Sequence, residues 1–230
     1  MARPEPVSRR ERPAKPALSR AAIIDAAMRL LREEGARALT MRRLAAQLDT
    51  GPASLYVYVR NTTELNALLI DRHLAELDLR WDRTEDPRAR IHRALLDYTH
   101  LLASQPALAQ AAQVTWPEGT HYLDLLELLL QALHALGLDT ATAARAVDLL
   151  LQLATASATE WAARSATDAQ QLADLESTLA SADPARHPAL VSAGAPAFTA
   201  GTPHERNTWA IDVLLDGLLQ SASPHRWSGT

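Results

Sequence analysis

The chain has 230 residues, 47% of them apolar, enough for one large core or two small ones. Only 4% are aromatic while Leu and Ala dominate, which predicts an all-α fold, and the absence of Cys excludes disulfides, thiolate metal sites and Cys nucleophiles. The net charge of −4 hides an imbalance: residues 1–60 carry 12 Lys+Arg against 6 Asp+Glu, whereas residues 61–230 carry 11 against 21, so a polyanion is expected to meet the N-terminal end only.

Residues 1–17 hold Pro4, Pro6, Pro13 and Pro16 among Arg3, Arg9, Arg10, Arg12 and Lys15, and read as a disordered basic arm. Ser19 is a good N-cap for a helix in which Ile23, Ala27, Leu30 and Leu31 recur at helical spacing and which Gly35 ends. Thr40 caps a second, short helix carrying Leu44, Ala45 and Leu48. Asp49-Thr50-Gly51-Pro52 then breaks the chain, with Pro52 suited to the first turn of a third helix through Leu55 and Tyr56. Asn61 followed by Glu64 has the spacing of a capping box for a fourth helix with Leu65, Leu68 and Leu69 on its apolar face.

Further helices are expected near 87–103, 105–112, 120–137, 140–165, 168–181 and 204–222, punctuated by Pro106, Pro117, Gly137 and Pro203. Residues 182–203, with four Pro and two Gly, read as a mobile loop, and 223–230 as a tail. Neither an apolar signal core nor a run of about 18 uncharged apolar residues occurs, so the expectation is a soluble, cytoplasmic protein with no membrane partner.

Two short helices around a tight break fit a helix-turn-helix, here within a domain of residues 18–62. A reading helix must show small and polar side chains to base edges while its back packs on a scaffold. Pro52, Ala53, Ser54 and Tyr56 to Tyr58 would line the groove-facing end, and Leu55 and Val59 would face the core.

The order Ala26-Ala27, Leu30 to Gly35, Leu39-Thr40-Met41-Arg42-Arg43-Leu44-Ala45, Leu55-Tyr56, Asn61 and Leu65 resembles the tetracycline-repressor (TetR) family of bacterial regulators. Thr115-Trp116-Pro117 and Tyr122 look like the tetracycline repressors' own subgroup. The resemblance implies a homodimer that binds a near-palindromic operator and releases it when a small-molecule effector binds, the effector and dimer sites lying in a helical domain of residues 63–222. It places DNA contacts on Thr40, Met41, Arg42, Pro52, Ala53, Ser54, Tyr56, Val57, Tyr58 and Thr62. The chain departs from the family in Asp49-Thr50, where Gly-Val is usual, in Thr62 for Lys and in Tyr58 for His.

For the effector pocket the expected lining is Tyr98, His100, Thr115, Trp116 and Trp161. For the dimer interface it is Val147, Leu150, Ala154 and Trp161 with Trp209, Val213, Leu214 and Gly217. The family's metal-binding His falls on Ala112, and the Asn and His that hold the drug fall on Ala94 and Asp78, with Thr115 kept. A more apolar, aromatic effector than magnesium-tetracycline is therefore expected. Glu118-Gly-Thr-His121 has Glu-x-x-His spacing but stands alone, whereas a di-iron bundle needs two such pairs. No metal, cofactor or catalytic residue is assigned. The competing readings are a helical-bundle enzyme and a non-specific architectural DNA-binding protein.

Overall fold

The computed structural model describes residues 18–165 and 169–221. The arm at 1–17 and the tail at 223–230 lie outside the described residues. Every described regular element is a helix, and the chain divides into two compact units at Thr62/Thr63.

In the first unit, α1 (Arg20–Glu34) starts at Ser19, whose Oγ accepts the Ala22 N–H at 3.1 Å. Its inner face, Ile23, Ala26, Ala27, Leu30 and Leu31, is buried at the spacing of a helical stripe. Gly35 stops it at φ 77°, where a side chain would be strained. After a 3₁₀ turn at 36–38, Thr40 caps α2 (Met41–Gln47), its Oγ1 accepting the Arg43 N–H at 3.1 Å. Pro52 opens α3 (Pro52–Leu55), and α2 and α3 pack together. Leu44, Ala45, Leu55 and Val59 fill the core beneath them.

The second unit contains α4 (Thr62–Leu74), which begins at the boundary, α5 (Pro87–Ala103), α6 (Pro106–Ala112), α7 (Thr120–Ala135) and α8 (Thr140–Ser165). These are followed by α9 (Ala169–Ala180), α10 (Pro188–Ala193), α11 (Pro196–Thr199) and α12 (Pro203–Ser221). Helix α5 is the hub, packing on α6, α7, α8 and α12 through buried Ile91, Leu95 and Leu102. Each such Leu or Ile contributes about 1.5–3 kcal/mol by leaving water. Polar side chains fix the register: Asn207 Nδ2 on α12 donates to Thr99 Oγ1 on α5 at 3.2 Å. Arg88 of α5 bridges Asp212 and Asp216 of α12, each at 2.7 Å.

Two expectations are corrected here. Residues 182–203 are not one irregular loop but carry α10 and α11, both packed on α9. Pro188 and Pro196 sit at the first helical turn, where a missing N–H costs nothing, so they start helices instead of interrupting them. Val147, Leu150 and Ala154 are buried within the single chain and cannot face a partner. Their stripe on α8 is consumed by the monomer core, in which α8 packs on α5, α6, α7 and α12.

Candidate nucleic-acid interface and ligand cavity

The turn between α2 and α3 closes α2 with a doubled hydrogen bond. Asp49 N–H donates to Ala46 C=O at 3.1 Å, and Thr50 N–H reaches Ala45 C=O at 2.9 Å. This is the Schellman arrangement, and the residue that must turn left-handed is Asp49, at φ 48°, where Gly is the usual occupant. An aspartate is among the few other side chains that visit this region.

The turn presents a projecting apex. Pro52 and Ala53 are exposed and Ser54 is half-buried. Tyr56, Val57 and Tyr58 are 51, 79 and 38% exposed, while Leu55 and Val59 between and behind them are buried. Three large side chains held in water on a rigid turn are costly unless something covers them. On α2, Met41 is half-buried and Arg42 exposed, and Thr40, although a cap, is exposed; Thr62 is exposed at the start of α4. The neighbouring Arg43 has another task, since its Nη2 contacts both carboxylate oxygens of Glu34 at 2.8 Å and ties α2 to the end of α1.

In the second unit a cavity of about 360 Å³ opens between α5, α8 and the 112–117 segment, within the size range of small-molecule sites. Tyr98, Thr115 and Trp116 of the expected lining are in it. His100 and Trp161 are not: they meet edge-to-face, ring centroids 5.6 Å apart, elsewhere on α5 and α8. The reason is helical phase, since His100 lies two residues, about 200°, round α5 from Tyr98. Trp161 borders a second depression with Phe198 and Trp209.

Sequence reasoning missed the α8 side of the cavity, which supplies Asp148, Leu151, Gln152, Thr155 and Ala156. Polar residues at 148, 152 and 155 repeat at helical spacing, but α8 also carries Arg145, Thr159 and Glu160, so the pattern alone does not single them out. Tyr98 Oη pairs with Thr155 Oγ1 at 2.9 Å, and burial pushes its phenol up to about 12. The half-buried Tyr122 phenol is also raised, by burial first and by the Asp148 carboxylate second. Gln152 Nε2 donates to Asp148 Oδ2 at 2.7 Å, and Gln113 Nε2 to Thr159 Oγ1 at 2.9 Å.

Ala112 lines the cavity and offers no donor to a metal. Ala94 is buried in the α5 core and Asp78 is paired with Arg80 at 2.9 Å, neither being part of the lining. Nor does the Glu118-x-x-His121 pair meet further ligands, because His121 Nδ1 instead bonds Asp71 Oδ2 at 2.9 Å. The other oxygen of Asp71 accepts the Tyr122 N–H at 3.0 Å and so caps α7 from α4. Gly119 permits this contact, since a Cβ there would occupy the Asp71 carboxylate. Among the described residues no group of three His, Asp or Glu is placed to hold a metal, and no helix is long and apolar enough to cross a membrane.

For the dimer, the described surface leaves Trp209 69% exposed, with Leu149, Val213 and Gly217 exposed and Trp161 and Leu214 half-buried.

A helix-turn-helix unit followed in the chain by an all-helical unit with its own cavity defines a two-unit, all-helical class of fold. Residues 23–67 match the family described as bacterial regulatory proteins, tetR family, and residues 82–221 match the tetracyclin repressor-like C-terminal domain. The chain belongs to the TetR family of transcriptional regulators.

Among curated relatives it is 32% identical over 125 residues to the HTH-type transcriptional repressor DrrR1 of Streptomyces coeruleorubidus, covering 54% of this chain and 46% of that protein. It is 31% identical over 139 residues to an HTH-type transcriptional regulator of Saccharopolyspora erythraea, covering 60 and 57%. The chain thus spans about half the length of the curated relatives it matches. A solved transcription regulator from Streptomyces shares 45% identity at TM-score 0.77, with 92% of this chain and all of that one covered. Streptomyces coelicolor ActR, solved in complex with actinorhodin, shares 29% at TM-score 0.82, with 91 and 100% covered.

Proposed function

We propose that the protein is a sequence-specific DNA-binding repressor that acts as a cytoplasmic homodimer and leaves its operator when a small molecule fills the cavity between α5 and α8. The observation that carries the reading is the exposed apex of Pro52, Ala53, Ser54, Tyr56, Val57 and Tyr58, held rigid by buried Leu55 and Val59. The tyrosine hydroxyls, Thr40, Thr62 and the Arg42 guanidinium suit phosphate oxygens. Ala53, Ser54 and Val57 are short enough to approach base edges and thymine methyls.

The exposed apolar residues Leu149, Trp209 and Val213, with Gly217 beside them, support a dimer through α8 and α12. Two-fold symmetry would set the two reading heads about 34–36 Å apart, in successive major grooves. The actinorhodin complex of ActR supports a small-molecule role for the cavity. The absence of a donor at Ala112 supports an effector other than magnesium-tetracycline.

The test is binding of the full-length protein to duplexes covering the DNA on either side of its own gene, read by fluorescence anisotropy against scrambled duplexes of equal length. One duplex should bind as a dimer at least 100-fold more tightly than its scrambled form at moderate salt, and Arg42→Ala should weaken that binding about tenfold. Equal affinity for all duplexes would replace this reading with non-specific architectural binding.

A further inference from the structure

We propose that the effector is an aliphatic amine carrying an aromatic ring system, bound as its ammonium cation between the Trp116 and Tyr122 rings with its charge on Asp148. The proposal rests on the reading of this cavity as the effector site and adds the chemical class of the ligand.

The charge of the lining comes first. Of its twelve residues, only Asp148 is charged at neutral pH; the others are apolar, aromatic, amide or hydroxyl side chains, with no Lys, Arg or His among them. Arg145, the preceding cation on α8, lies outside the lining. A carboxylated or phosphorylated ligand would therefore surrender its water to a site with a like charge and no cation. An ammonium would meet an opposite charge.

Ring chemistry points the same way. Trp116, 72% exposed, and half-buried Tyr122 both line the cavity, and the face of an aromatic ring attracts cations through its quadrupole. Asp148 and Tyr122 line the same cavity, and the carboxylate adds to the rise that burial imposes on the Tyr122 phenol. It is also held in place, because Gln152 donates to one of its oxygens at 2.7 Å and leaves the other available. Deeper in, Tyr98 and Thr155 bond each other at 2.9 Å, so their hydroxyls spend part of their capacity internally and demand little from a ligand. Ala112, Leu151 and Ala156 add apolar lining for a ring system.

A matched series isolates the charge: 9-(aminomethyl)anthracene, 9-anthracenemethanol and anthracene-9-carboxylate share one ring system and differ in one substituent. Binding to the full-length protein is followed by the anisotropy of the probe's own fluorescence. The amine should bind about tenfold more tightly than the alcohol and at least 100-fold more tightly than the acid. Asp148→Asn, an exposed helix position checked by its melting curve, should bring the amine-to-alcohol ratio close to one.

Equal affinities across the series, preference for the acid, or an unaltered ratio in Asp148→Asn overturns the amine assignment while leaving the cavity a ligand site. Failure of all three to bind overturns the amine assignment together with the use of this cavity. The same probes are then added to the complex with the tightest duplex. If the charge order holds and DNA stays bound, the ligand class stands and the effector reading falls.

Discussion

Asp49 holds the left-handed corner of the turn between α2 and α3, at φ 48°. A side chain there costs about 1–2 kcal/mol, and replacing it with Gly returns about 0.5–1 kcal/mol of that to the unfolded chain as entropy. Asp49→Gly should therefore stabilise the first unit by up to about 1 kcal/mol. Hydrogen exchange at the Leu48 and Thr50 amides should slow up to about fivefold, and faster exchange would show that the aspartate is favoured in place. Tyr98 gives the opposite kind of test. Its phenol, raised by burial to about 12 from 10, is neutral in the folded state at pH values where an unfolded tyrosine ionises. The stability it contributes is complete below pH 10 and is lost between pH 10 and 12, by at most about 2–3 kcal/mol. Urea midpoints measured across that interval should fall steeply in the native protein and less in Tyr98→Phe, with Tyr122 leaving a residual slope of the same sign. An equally steep fall in Tyr98→Phe would place the alkaline transition elsewhere.

Helix α7 is capped by a side chain from another helix. Asp71 on α4 accepts the Tyr122 N–H at the third position of α7 and bonds His121 beside it, and Gly119 leaves the room. Loss of an N-cap costs about 1–2 kcal/mol. Asp71→Ala and Gly119→Ala should each cost about that much, and because both break one contact, the double variant should cost little more than either alone. Strict additivity in thermal or urea unfolding would show that they act separately. This cap was invisible in the sequence, where Asp71 stands 48 residues from Gly119 and nothing local links them. The helices themselves were legible because caps and periodicity are local: Ser19, Thr40 and Pro52 start theirs, and Leu55 and Val59 face the core as their spacing required. The two faces of α8 were not. Periodicity marks Val147, Leu150 and Ala154 as one stripe but cannot say whether a neighbouring helix or a second chain covers it. The cavity residues Asp148, Gln152 and Thr155 shared that blind spot, since a polar stripe facing a cavity reads like one facing water.

At the scale of the whole molecule the dominant physical feature is charge, basic over residues 1–60 and acidic beyond. Much of the basic excess lies in residues 1–17, where Arg3, Arg9, Arg10, Arg12 and Lys15 outnumber Glu5 and Glu11. The exposed apex at Tyr56 to Tyr58 is itself uncharged, and Arg43 is committed to Glu34, so at most six of the seven arginines between residues 18 and 60 remain for phosphates. The position where the family usually has a phosphate-binding Lys is Thr62 here, which lowers the number further. We propose that residues 1–17 are the compensating source. Each phosphate neutralised releases counterions and adds about 0.9 to the slope of log affinity against log salt. If the five basic residues of the arm reach the duplex, deleting residues 1–17 should reduce that slope by about 3–5, and the affinity lost should be largest at low salt. Specificity over scrambled DNA should persist, because base edges are read by the folded head and not by the arm. Titration of both forms between about 50 and 300 mM salt decides it. Parallel lines would show that the arm takes no part, and the folded head would then have to supply every phosphate contact itself. A collapse of specificity together with affinity would mean that the arm reads sequence, as an N-terminal arm does when it enters the minor groove.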